Sequence, residues 1–205
     1  MNNNLMSRLK TTYGVALVLA LLLVLPGCQT LREVANLRKV NFSIDRVAEV
    51  QLAGINLSNI RSFEDLGAGD VLRLGAALAR KEMPLTFQLH VMAENPADNP
   101  VQARLVRMDW TLLLEDRETI NGVFDQNVVL PPGQAQDLPF PVSLDLLTFF
   151  DKGARDLVEL GLALAGQGGA PKEIKLRATP TIDTAIGPIR YPEPITILSR
   201  EIGTL

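Results

Sequence analysis

Among side chains able to act as nucleophile, general base or soft metal ligand, the sequence holds one histidine, His90, and one cysteine, Cys28. Serine or cysteine hydrolysis needs a nucleophile within hydrogen-bond reach of a base. No G-x-S-x-G elbow is present, and the one thiol closes an apolar N-terminal run. His90 falls on the outward alternation of a strand pattern and reads as a surface or rim histidine. Hard oxygen ligands gather in one loop, Glu94, Asn95, Asp98 and Asn99, a set compatible with calcium. Their spacing matches no EF-hand, so a plain turn is the expectation and no metal or cofactor is predicted. Gly67-Ala68-Gly69 precedes a helix pattern but lacks the third glycine of a dinucleotide loop and the apolar strand before it. Glu64-Asp65 and Glu115-Asp116 are adjacent acids of the kind found in solvated turns rather than a separated acid–base pair. No catalytic residue and no small-molecule substrate are predicted, and the chain reads as no enzyme.

The chemistry that the spacing does support is at Cys28. An apolar run from Tyr13 to Leu25 follows a short segment carrying Arg8 and Lys10 and no acid. A membrane-spanning helix needs about 20 apolar residues, so this run is too short; a basic front and a small-residue exit are the marks of a secretory signal. Leu25-Pro26-Gly27-Cys28 resembles a bacterial lipobox, with an aliphatic residue three before the cysteine, a small one just before it, and Pro26 where a small residue is usual. Residues 1–27 are then a lipoprotein signal peptide, and Cys28 is the lipidated (palmitate-type) N-terminus. Acyl chains gain roughly 0.8 kcal/mol per buried methylene, and more than one chain gives a stable anchor. Gln29 is not the aspartate that often retains Gram-negative lipoproteins in the inner membrane. The outer membrane, periplasmic side, is therefore expected, with the bilayer as partner through Cys28 and a lipid or an envelope protein as further candidates.

Removing residues 1–27 from 205 leaves 178, enough for one domain with a sizeable core. The removed segment takes two basic residues and no acid with it, which shifts the formal charge from −3 to −5. No lysine–arginine cluster able to neutralise a phosphate backbone is present, so nucleic acid is excluded as a partner. One cysteine allows no disulfide within the chain.

Residues 28–40 read as a stalk, with a short amphipathic turn as the other fitting conformation. From Phe42 to Ile60 the pattern predicts one long first strand kinked at Gly54. Asp70 reads as an N-cap, and Val71, Leu74, Gly75 and Leu78 share the apolar face of a helix of about three turns that stops before Pro84. Leu85, Phe87, Leu89 and Val91 alternate with polar neighbours up to Asn95-Pro96. Val106, Met108, Trp110, Leu112 and Leu114 alternate next, with Arg107, Asp109 and Thr111 outside. A strand follows from Ile120 to Val129. Another runs from Gln136 to Leu147, placed at an edge because Pro139 and Pro141 lack ladder donors. Thr148 and Asp151 resemble a capping box opening a second helix that reaches about Ala165. Its apolar face is wide, holding Phe150, Ala154, Leu157, Gly161 and Leu164, with Phe149, Val158, Leu160 and Leu162 beside them. Two final strands span 173–183 and 189–199, joined through Gly187-Pro188. About seven strands with two inserted, non-alternating helices predict a mainly β, antiparallel sandwich over 41–199 with a tail at 200–205.

Several stretches resemble the late-embryogenesis-abundant type 2 group, also called the water stress and hypersensitive response domain. They are VQLAGINLSNI within Ile44 to Ile60, PLTFQLHVMAENP ending at Asn95-Pro96, MDWTLLLE, Gly122 before VFDQNVVLPPG, and GPIRYPEPI. The similarity covers roughly Asn41 to Ser199, and its most specific element is the strand ended by Asn-Pro. The loop extended by Ala97-Asp98-Asn99-Pro100 and the helical insert at 148–165 depart from the family pattern. The resemblance implies an immunoglobulin-like or fibronectin-like sandwich with no known enzymatic activity, a role in desiccation and envelope stress, and in some relatives lipid binding. A structural, stress-protective or interaction role follows. The alternative is a lipid-binding or lipid-transfer module whose apolar cleft, lined by Phe149, Leu157, Leu160 and Leu164, lies under the inserted helices.

Overall fold

The computed structural model describes residues 40–99, 102–167, 173–184 and 187–198. These form a mainly β structure of two antiparallel sheets with a few helices. The four-stranded sheet has the order β2 (Ile55–Asn56), β1 (Asn41–Leu52), β3 (Pro84–Asn95), β7 (Gln134–Asp145). The other has the order β10 (Ile195–Leu198), β8 (Ile174–Thr184), β4 (Ala103–Leu114), β5 (Arg117–Phe124). Within it β6 (Val128–Leu130) continues along the β5 side of β4, and β9 (Gly187–Arg190) continues along the β10 side of β8. The helices are α1 (Ala68–Ala79), the single turn α2 (Leu146–Phe149) and α3 (Ala154–Leu164).

Period-two burial builds the interior. Leu85, Phe87, Leu89, Val91 and Ala93 of β3 and Leu138, Phe140, Val142 and Leu144 of β7 all enter one core with Met108, Trp110, Leu112 and Leu114 of β4. Phe140 couples the two sheets, meeting Trp110 edge-on at 5.9 Å and Phe124 at 5.0 Å between ring centroids. Such pairs add about 0.5–1.5 kcal/mol beyond the area they bury. β7 lies at an edge, as its prolines predict, and pairs with β3 through twelve consecutive positions. An unbroken register accommodates Pro139 and Pro141 only where their missing N–H groups would point to the free edge.

Elsewhere the chain breaks where the sequence reads as continuous. The run from Phe42 to Ile60 is a hairpin, in which Ala53 (φ 49°) and Gly54 (φ 75°) turn the chain so that Leu52 faces Ile55. Two successive positive φ values are what a tight turn between right-twisted strands requires. The kink in β1 is instead at Glu49 (φ 56°), where the register with β3 slips between Ala48 and Gln51. A slip between Leu105 and Arg107 buries Leu105 and leaves Val106 partly exposed, which shifts the start of β4 back to Ala103. The predicted strand from Ile120 to Val129 divides into β5 and β6, and the last one divides at 191–194 into β9 and β10, so ten strands among the described residues replace the seven expected.

Both predicted caps move as well. Gly67 caps α1, and Asp70 sits at its third position, accepting from the Gly67 N–H at 3.3 Å. Leu74 and Ala77 are its buried residues, whereas Val71 is exposed. Thr148 and Asp151 open no helix. Asp145 caps α2 by accepting from Leu147 N, and it also accepts from Met83 N, both at 2.9 Å. Gly153 caps α3.

Candidate functional site

The outward residues of β4, β5, β8 and β9 meet in a cleft of about 350 Å³ on the outer face of the six-stranded sheet. Alternation sets this composition, because Met108, Trp110 and Leu112 turn inward and leave Asp109 and Thr111 outside. Strand register then brings Asp109 opposite Thr179 and Thr111 opposite both Arg177 and Asn121. Val123 and Pro194 complete the rim, and Arg190 enters from β9. Trp110 and Gly122 are direct partners across the strands and form the floor. A Cβ added at Gly122 would stand 2.3 Å from Trp110 Cζ2, so only glycine fits above that ring.

Charge in the cleft is organised around Asp109. It accepts from Arg107 Nη2 at 2.9 Å and Nε at 3.1 Å, and also from Arg190. The hydrogen bond from Arg190, followed by that from Arg107, holds its carboxyl below the usual aspartate range. Arg177 pairs with Glu118. Each guanidinium has five N–H donors, so one carboxylate partner leaves most of them available. The lining therefore offers directed donors, two threonine hydroxyls and an amide. It contains no nucleophile–base pair.

Each residue singled out from the sequence has its own setting. Cys28 and the predicted stalk up to residue 39 lie outside the described residues; Val40, the last residue assigned to that stalk, is buried in the core. Among the described residues no helix is long and apolar enough to cross a membrane. His90 stands on the outer face of the other sheet. Its Nδ1 lies 2.8 and 3.0 Å from the Asp137 carboxylate oxygens and 3.0 Å from Arg46 Nη2. Its side-chain partners are an acid and a cation, a charge cluster across β1, β3 and β7 with no hydroxyl or thiol nucleophile. Arg46 also binds Asp45 at 2.6 Å, and that bond, with the Asp137 charge, raises the guanidinium further.

Asn95 and Asn99 are fully buried. Asn95 Nδ2 donates to Leu130 O, and Asn99 Nδ2 donates to Asn95 Oδ1, each at 2.7 Å. The Asn95 carbonyl accepts from Gly133 N at 2.7 Å. These amides tie three chain segments together at one end of the sheets, which is the physical content of the strand-ending asparagine. Among the described residues no group of three or more His, Cys, Asp or Glu side chains is placed to hold a metal ion.

Of the four apolar residues proposed to line a cleft, Leu157, Leu160 and Leu164 are buried in the common core and Phe149 is half-buried. α3 presses closely on the β1–β2 hairpin. A Cβ at Gly161 would stand 2.7 Å from Leu57 Cδ1, with Leu52 beyond it at 3.8 Å. The wide apolar face, read from sequence as surplus, is consumed by contact with β1 and with the 3-10 turn at Phe63–Asp65.

Sequence reasoning had placed Arg107, Asp109 and Thr111 outward but had not gathered a site. The missing information was which strands neighbour β4, since Arg177 and Arg190 lie far along the chain and converge only through pairing with β8.

No family model matches the chain, and no curated protein matches it. Among solved structures, one of a protein from Archaeoglobus fulgidus is similar with 15% identity and a TM-score of 0.34, over 56% of this chain and 82% of that one. The solution structure of a late embryogenesis abundant (LEA) protein is similar with 14% identity and a TM-score of 0.39, over 96% of this chain and 90% of that one. At these identities and overlaps neither likeness speaks to family or activity.

Proposed function

We propose that this chain is a lipid-anchored, non-enzymatic cell-envelope protein. Its immunoglobulin- or fibronectin-like sandwich, of late-embryogenesis-abundant type 2 character, has a structural, stress-protective or interaction role. The anchor is the acylated Cys28, and the domain faces the periplasm from the outer membrane. Sequence supports the first half of this reading through the apolar run that closes on Leu25-Pro26-Gly27-Cys28. Geometry supports the second half through one observation: Leu157, Leu160 and Leu164 are each 1% exposed or less, packed where a lipid carrier would need a cavity.

The experiment is incorporation of radiolabelled palmitate into the native chain and into Cys28→Ala, followed by membrane fractionation. Label and membrane association should both disappear in the alanine variant. Label that persists without the thiol contradicts the anchor.

A further inference from the structure

We infer that the outer-face cleft of the six-stranded sheet is a binding site for a saccharide unit bearing an anionic group. The inference stands on the cleft alone and is independent of the anchor. Its first support is charge. Arg177 and Arg190 line the cleft with Asp109. Asp109 is shared between Arg190 and Arg107, and Arg177 pairs with Glu118 beside it, so three guanidiniums meet two carboxylates. The excess charge is therefore positive, carried by two planar donor arrays suited to a carboxylate or phosphate. The second support is the neutral lining. Thr111, Thr179 and Asn121 offer donors and acceptors to ligand hydroxyls, and Val123, 48% exposed, with Pro194 gives a short apolar rim for a sugar's C–H face.

The same lining disfavours other occupants. Base stacking needs an accessible aromatic platform, and Trp110 is 7% exposed beneath Gly122. An acyl chain would cover the arginine, threonine and asparagine groups of the lining without offering any of them a hydrogen bond. The volume, about 350 Å³, lies at the small end of ligand clefts, which run to roughly 1,000 Å³. That is room for one or two rings.

Trp110 is the only tryptophan in the chain and forms part of the floor, so its fluorescence reports occupancy of this cleft. The full chain is titrated with glucuronate, with glucose as its neutral counterpart, and with an oligoglucuronate that presents the same acid within a polymer. Glucuronate should produce a saturable Trp110 change that weakens severalfold as salt rises. Glucose should bind at least tenfold more weakly. Arg177→Gln and Arg190→Gln should each weaken glucuronate about tenfold, and Thr179→Val should weaken it less. Arg46→Gln, on the opposite sheet, should leave it unchanged. Oligoglucuronate binding more tightly than glucuronate identifies a polymer as the source of the unit, and equal binding identifies the free acid; both support the site. Absence of saturation by either acid, glucose binding equal to glucuronate, or indifference to both arginine substitutions in a chain that keeps its circular dichroism spectrum overturns the proposal.

Discussion

The underside of α3 and the outer face of the six-stranded sheet make an instructive pair. The sequence marks the first as a candidate cleft and not the second, but the first is packed and the second keeps a depression. Beneath α3 the leucines enter the core shared with β1, and Gly161 lets the helix come so close that a Cβ there would stand 2.7 Å from Leu57 Cδ1. On the outer sheet face no helix among the described residues lines the cleft. Polar side chains there satisfy one another in pairs around Asp109 and leave a depression between them. Apolar excess measured from sequence is thus a poor sign of a ligand site when a partner surface is near. A convergence of long polar side chains on an uncovered sheet is the better one.

The contrast can be broken most severely on the filled side. Leu157→Ala or Leu160→Ala should cost about 2–5 kcal/mol of stability, read from urea unfolding, because a buried leucine leaves a cavity that its neighbours only partly close. A loss below about 0.5 kcal/mol would mean that this face is not packed.

Gly122→Ala, at the cleft floor, should destabilise by about 1–3 kcal/mol by forcing the Trp110 ring from beneath the strand. Trp110 emission should shift to the red as the ring gains exposure. An unchanged spectrum and midpoint would show that the ring has room to move.

Acid should act on the cleft before the core. The Asp109 carboxyl should titrate below its reference value of 3.8. A depressed folded pKa gives stability that is complete above the unfolded value and is lost as pH falls through the folded one. Stability of the native chain should therefore fall more steeply below about pH 4 than that of Asp109→Asn. Carboxyl NMR that places Asp109 at or above 3.8 would contradict the arrangement of arginines around it. The smallest effect belongs to Arg177→Gln, whose pair with Glu118 is solvent-facing. Stability should stay within about 0.5 kcal/mol of the native value while any cleft ligand is weakened.

What was readable in the sequence was local. The alternation of Leu85 to Val91 gave β3, and Pro139 and Pro141 gave the edge position of β7, because each signal depends only on neighbours in the chain. Ala53-Gly54 and Glu49 were misread together: a hairpin turn and a bulge leave nearly the same apolar spacing, and pairing with β3 decides between them. The helix predicted from Thr148 divides instead: Asp145, at the end of a strand, caps the single turn α2, and Gly153 caps α3. For the cleft, outward placement of Asp109 and Thr111 was legible. Their meeting with Arg177 and Arg190 was not, since it depends on a strand order that no local pattern encodes.

The filled interior is tested most directly by native mass spectrometry of the full chain purified from membranes. The account predicts that gentle activation releases no lipid, leaving only acyl groups joined covalently at Cys28. One dissociable acyl lipid per chain would place a ligand where Leu157, Leu160 and Leu164 are packed, and would contradict it.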